Sequence, residues 1–132
     1  MDLETLQEQV DKDLKINDTE LDLESLKTPQ LHNKYMKHYT KFKLMLAKAE
    51  TDYSQLKRTK WEYYTGKADA SVYAQKPFDL KVLRTDVDKY IESDDELIKA
   101  KQKKEYLTTV VDYLDRTLRQ ITNRTFTIKN AI

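Results

Sequence analysis

Apolar residues along this chain recur at helical rather than strand spacing. Leu3, Leu6, Val10 and Leu14 stand three, four and four apart, one narrow stripe on a short helix. Asn17 or Asp18 can cap a second short helix carrying Leu21 and Leu26. Thr28-Pro29 then reads as a helix start, with threonine as N-cap and proline at the first helical position, where its missing N–H costs nothing. From there Leu31, Tyr35, His38, Phe42, Met45, Ala49, Asp52, Leu56, Thr59 and Tyr63 alternate four and three apart. This is a heptad-like seam with soft positions at His38, Asp52 and Thr59. Gly66, the only glycine, suits the C′ position that ends such a helix. At about 1.5 Å per residue the helix is on the order of 55 Å long, too long to be enclosed by so small a domain.

Residues 67–79 carry Ser71, Gln75 and Pro77 and are expected to form a loop. Residues 78–91 are ambiguous: Leu80, Val82 and Leu83 suit a short strand, whereas Leu83, Val87, Tyr90 and Ile91 suit a helix, the preferred reading. Ser93 or Asp94 can cap a last long helix, with Asp95 and Glu96 in the first turn, where the helix dipole favours acids. Its stripe is Leu97, Tyr106, Val110, Val111, Leu114, Leu118 and Ile121, followed by an apolar tail of Phe126, Ile128 and Ile132. The pattern predicts an all-α, elongated fold of long helices with heptad-like seams. It is read as one helical domain over 1–132: acidic helices in 1–28, a basic and aromatic long helix in 29–66, a loop in 67–79 and C-terminal helices in 80–132.

Composition narrows the class. Hydrophobic residues make up 39% and charged residues 36%, with one Gly and two Pro. So thin an apolar share suits a helical protein that completes its core by self-association. There is no cysteine and there are only two histidines, His32 and His38, so a thiolate metal site is excluded and a zinc or general-base centre is disfavoured. The acids Asp94, Asp95 and Glu96 belong to a helix start rather than a calcium loop. No Gly-x-Ser-x-Gly, P-loop or dinucleotide fingerprint is present, so the chain reads as no enzyme and no cofactor is expected. Lacking an apolar leader and any run of membrane-spanning length, it reads as a soluble cytosolic protein.

Charge is segregated beneath a formal net of +1. Residues 1–28 hold nine Asp/Glu against three Lys, and residues 34–67 hold nine Lys/Arg against three Asp/Glu. Either two partners or mutual pairing would account for that split. Within the basic segment, residues 56–67 place four cations and three aromatic rings around Gly66. Cations that neutralise phosphates beside rings on which bases stack are what single-stranded nucleic acid requires. An ordinary solvated helix edge, with Trp61 and Tyr64 covering the core and Arg58 paired to Glu62, is the competing reading. Lys34, Lys37, Lys41 and Lys48 form a second stripe that could answer the acidic head, and Lys99, Lys101, Lys103 and Lys104 form a third cluster, read as a solvated face near Glu96 and Glu105.

Glu62-Tyr63-Tyr64-Thr65-Gly66-Lys67, preceded by alternating cations at Arg58 and Lys60, resembles the Leu-Lys-Ala-Arg-Leu-Asp-Tyr-Tyr-Ser-Gly-Arg signature of the UvsY-type recombination mediators of T-even-like bacteriophages. Leu3-Glu4-Thr5-Leu6-Gln7-Glu8 and Arg124-Thr125-Phe126-Thr127-Ile128-Lys129 are similar to that family's ends. Trp61 stands where the signature has an aliphatic residue and Thr59 where it has alanine.

The resemblance implies an accessory protein of homologous recombination and repair in the host cytoplasm. Such a protein binds single-stranded DNA, helps displace the phage single-stranded DNA-binding protein and loads the phage recombinase UvsX. It also implies a homo-oligomeric ring, on the order of six or seven subunits, assembled through the C-terminal helix, for which Val111, Leu114, Leu118, Ile121, Phe126 and Ile128 are the candidates. The family's DNA-contacting pair falls on Arg58 and Lys60; Lys57, Trp61, Tyr64 and Lys67 join them by position. The alternative is a structural helical adaptor that binds a partner coiled coil and no nucleic acid, in which Trp61 and Tyr64 would be buried.

Overall fold

A computed structural model describes residues 1–78 and 80–131; Asp79, in the expected loop, and Ile132, in the expected apolar tail, lie outside the described residues. Five helices follow one another: α1 (Leu3–Asp13), α2 (Leu21–Tyr64), α3 (Ala70–Gln75), α4 (Val87–Glu92) and α5 (Asp95–Ala131). No strand occurs among the described residues. The all-α reading therefore stands, and residues 80–83, the strand candidate, form neither helix nor strand. The helix preferred for residues 78–91 is confined to the last few positions, from Val87 on. The expected loop at 67–79 contains α3.

The start of the long helix is a correction. It begins at Leu21, not at Thr28-Pro29, and Pro29 lies inside it. Asn17 builds the turn ahead of it, its Oδ1 accepting from the Thr19 amide at 3.1 Å. Asp22 and Glu24 then sit in the first turn, where the dipole favours them. Proline inside a helix removes one backbone donor and crowds the preceding turn. Here the buried Arg124 guanidinium of α5 donates into that turn, to the Glu24 carbonyl oxygen at 3.3 Å and the Thr28 hydroxyl oxygen at 3.4 Å. It also pairs with the buried Glu24 carboxylate. These bonds tie the turn before Pro29 to α5, and the second short helix fuses with the long one.

The chain packs as two compact units. The first comprises Met1–Leu44 and Leu107–Ile132, the second Met45–Tyr106. The first unit buries Leu6 and Val10 of α1, Tyr35 and Phe42 of α2, and a row on α5. Asp13, at the end of α1, accepts from Lys34 Nζ at 2.6 Å and Tyr35 Oη at 2.7 Å. Part of the acidic head thus pairs with the basic helix of its own chain. Of the six residues expected to drive self-association, Val111, Leu114, Leu118, Ile121 and Ile128 are buried within this unit, and only Phe126 is exposed. The second unit is built on Val87, Ile91 and Leu97, against which Tyr53, Leu56, Tyr64 and Val82 pack. Among the seam residues, the positions seven apart from Tyr35 to Tyr63 are buried or half-buried, as are Leu31 and His38, while Met45, Asp52 and Thr59 are exposed.

Candidate nucleic-acid interface

The candidate residues occupy the last turns of α2, and the way that helix ends fixes their geometry. Gly66 has φ +77°, a left-handed conformation that only glycine adopts freely. It lets the Lys67 amide reach the Glu62 carbonyl at 2.8 Å and the Gly66 amide reach that of Tyr63 at 3.3 Å, the paired bonds of a Schellman cap. The chain turns sharply, and Lys67 returns over the ring of Trp61, its ammonium 4.6 Å from the centroid. A cation at that distance is attracted by the ring quadrupole.

Tyr63 and Tyr64 point into the protein. The Tyr63 ring stacks on Tyr73 at 5.5 Å, and its hydroxyl donates to the Lys76 carbonyl oxygen at 3.0 Å. Tyr64 meets Phe78 at 5.1 Å and Tyr90 at 5.6 Å. Its hydroxyl donates to Asp94 Oδ2 at 2.6 Å. The tyrosine pair anchors the segment after Gly66, including α3, to the end of α2.

Lys60 and Arg58, which the resemblance gives one role, occupy different environments. The Arg58 side chain is 83% exposed and pairs with Glu62 one helical turn on, at 3.3 Å. Lys60 is 14% exposed; its ammonium lies 3.3 Å from Asp94 Oδ2 and 3.4 Å from Glu96 Oε1. Asp94 is also the N-cap of α5, its Oδ1 accepting from the Leu97 amide at 3.0 Å. Burial pushes the Asp94 carboxyl up, but the hydrogen bonds from Tyr64 and the Leu97 amide, with the Lys60 charge, outweigh it and hold it below the usual range. The Tyr64 hydroxyl is pushed well above its usual value by burial first and by Asp94 second. Glu96 is held down by Lys76, 3.1 Å away, and by Lys60. These groups line a cleft of about 460 Å³ at the start of α5.

The six sequence-predicted DNA residues therefore divide. Lys57, Arg58, Trp61 and Lys67 are exposed and form one edge at the end of α2, whereas Lys60 and Tyr64 turn inward to Asp94. The sequence reading missed Asp94 and Glu96 as partners of Lys60, Lys76 as a second partner of Glu96, and Tyr73, Phe78 and Tyr90 as partners of the tyrosine pair. No local signal marks these contacts, since Tyr64 and Asp94 stand 30 positions apart. Among the described residues no cluster of potential metal ligands occurs, and no helix is long and apolar enough to cross a membrane.

The profile of the family described as "Recombination, repair and ssDNA binding protein UvsY" matches residues 9–132. The chain belongs to the UvsY family. It is 24% identical, over 98% of its length and 92% of the relative's, to a protein of Enterobacteria phage T4 named "Recombination protein uvsY". The crystal structure titled as that of the bacteriophage T4 recombination mediator protein UvsY superposes with a TM-score of 0.87, at 24% identity, in lattice type II, covering 98% of this chain and 92% of that one. Lattice type IV gives the same score at 23% identity, covering 98% and 94%. The fold is thus that of the UvsY structures. Within this UvsY-family chain the exposed edge at the end of α2 leaves its cations and the ring of Trp61 open to solvent.

Proposed function

We propose that this chain is a recombination mediator that binds single-stranded DNA along the exposed edge Lys57, Arg58, Trp61 and Lys67. It helps to remove the single-stranded DNA-binding protein and loads the phage recombinase in the host cytoplasm. Lys60 and Tyr64 hold the edge in place through Asp94. The observation that carries this reading is Trp61 itself: 39% exposed, capped by a lysine ammonium and flanked by two further exposed cations. Base stacking on such a ring contributes roughly 1–3 kcal/mol per base and is indifferent to sequence. One chain offers few phosphate contacts, so tight binding requires a homo-oligomeric ring that repeats the edge, where avidity can add about 10² to 10⁴. With five of the six expected apolar contacts already used inside the subunit, assembly falls to exposed positions such as Phe126.

Trp61 is the only tryptophan, which makes it a clean reporter. Titrating the protein with oligodeoxythymidylate should quench or shift its emission, and salt should reverse the change. The competing helical adaptor requires both Trp61 and Tyr64 to be covered, and it finds support only in Tyr64. An emission spectrum that ignores the oligonucleotide at low salt, together with no anisotropy change of a labelled strand, would favour the adaptor.

A further inference from the structure

A groove of about 410 Å³ lies beside the exposed edge, between the second part of α2 and the start of α5, wholly within the second compact unit. Tyr53 and Ile98 contribute apolar lining, and Lys57 from α2 and Lys101 from α5 line it as well. Among the described residues neither of these ammonium groups has a carboxylate partner within 4.0 Å. Lys104, one turn after Lys101, sets its ammonium 4.4 Å from the Tyr53 ring centroid. Glu92 is the single acid of the lining. Two lining cations against one carboxylate leave this groove positive, unlike the neighbouring cleft where Lys60 and Lys76 are answered by Asp94 and Glu96.

Uncompensated cations are the ones with counterions to release, and counterion release is the main source of affinity for a phosphate backbone. A cation already held by a carboxylate has to lose that partner first. Lys57 also stands four positions before Trp61, on the same face of α2. The groove and the tryptophan edge therefore share Lys57.

We propose that this groove, flanked by Lys57 and Lys101, is a second phosphate-backbone site for single-stranded nucleic acid, continuous with the Trp61 edge. It rests on the reading of that edge as a strand-binding surface and adds α5 to it. Lys101 contacts phosphate, Lys104 is held over Tyr53, and Glu92 weakens the site by repelling the strand. The expected path runs from Lys101 across Lys57 to Trp61 and Lys67.

The test is anisotropy of a fluorescein-labelled oligodeoxythymidylate with full-length protein across a salt series. Variants are Lys101→Gln, Lys101→Arg, Glu92→Gln, Arg58→Gln and, as a remote control, Lys129→Gln. Lys101→Gln should weaken binding two- to tenfold and lower the slope of log affinity against log salt by about 0.7 for each phosphate no longer neutralised, more where several copies engage one strand. Lys101→Arg should keep the wild-type slope, and Glu92→Gln should bind more tightly than wild type. Opposite signs at Lys101 and Glu92 are what a merely structural role would not produce. If wild type binds, Arg58→Gln lowers the slope, and Lys101→Gln and Glu92→Gln both match Lys129→Gln, the groove is wrong while the edge stands. If wild type itself shows no salt-dependent binding, the edge reading fails and the groove falls with it.

Discussion

Replacing Lys60 by alanine should damage the fold more than the binding surface, whereas replacing Arg58 should do the reverse. The Lys60 ammonium is 3.3 Å from Asp94, with side-chain exposures of 14% and 7%. At an effective dielectric near 20 the gross attraction is about 5 kcal/mol, offset by desolvation of both groups. Breaking a fully buried pair costs about 3–5 kcal/mol, and an exposed pair contributes about 0–1. Asp94 keeps its bonds from Tyr64 and the Leu97 amide, so Lys60→Ala should fall between those limits, at about 2–3 kcal/mol. For a chain of this size that is a fall in Tm on the order of 10 °C. Arg58→Ala loses only an exposed i,i+4 pair, about 0.3–0.5 kcal/mol, yet should lower the salt slope of strand binding by about 0.7. Urea unfolding gives the first quantity and anisotropy the second, and Lys60→Met separates loss of charge from loss of the aliphatic stem. A Lys60→Ala protein within about 0.5 kcal/mol of wild type would refute the argument, because an interior ammonium between two carboxylates cannot be removed so cheaply.

Three further outcomes are expected. Asp94 has a folded pKa below its unfolded one, so its contribution is present above the unfolded value of about 3.9 and is lost as pH falls through the folded value; Asp94→Asn should flatten that part of the acid limb in a pH series of urea melts. Gly66→Ala meets no neighbour within 4 Å but must adopt φ +77°, so it should lower stability by about 1–2 kcal/mol by denaturant titration, with Gly66→Asn costing less. Arg124→Ala should lower the Tm far more than Arg119→Ala, whose partner Asp115 lies on the surface, because it leaves Glu24 with only the exposed Lys27 as partner and withdraws the donors beside Pro29; equal melting curves would remove our account of the uninterrupted α2.

Local chemistry was legible in the sequence. Gly66 was recognisable as a helix terminator because only glycine takes its backbone angle freely, and Asp94 was a candidate cap because a short carboxylate ahead of acids satisfies the first helical amides. The spacing of apolar residues predicted the long helices, and the signature around Arg58 and Lys60 led to the family. Tertiary structure decided what those side chains face. Pro29 reads as a helix start until Arg124, 100 positions from Glu24, supplies donors to the same turn. Lys60 and Arg58 are equivalent cations on paper, and only the approach of the α5 cap makes one an interior ion pair and leaves the other in solvent. Tyr64 and Trp61 are likewise both candidate stacking rings until Phe78, Tyr90 and Asp94 enclose the first. Sequence alone thus determined the all-α class, the glycine end of α2, the start of α5 and the family, because periodicity and capping act within a few residues. Which cations remain free for a phosphate was decided by packing, because a charge is compensated by whatever the fold brings within a few ångströms, however distant in the chain.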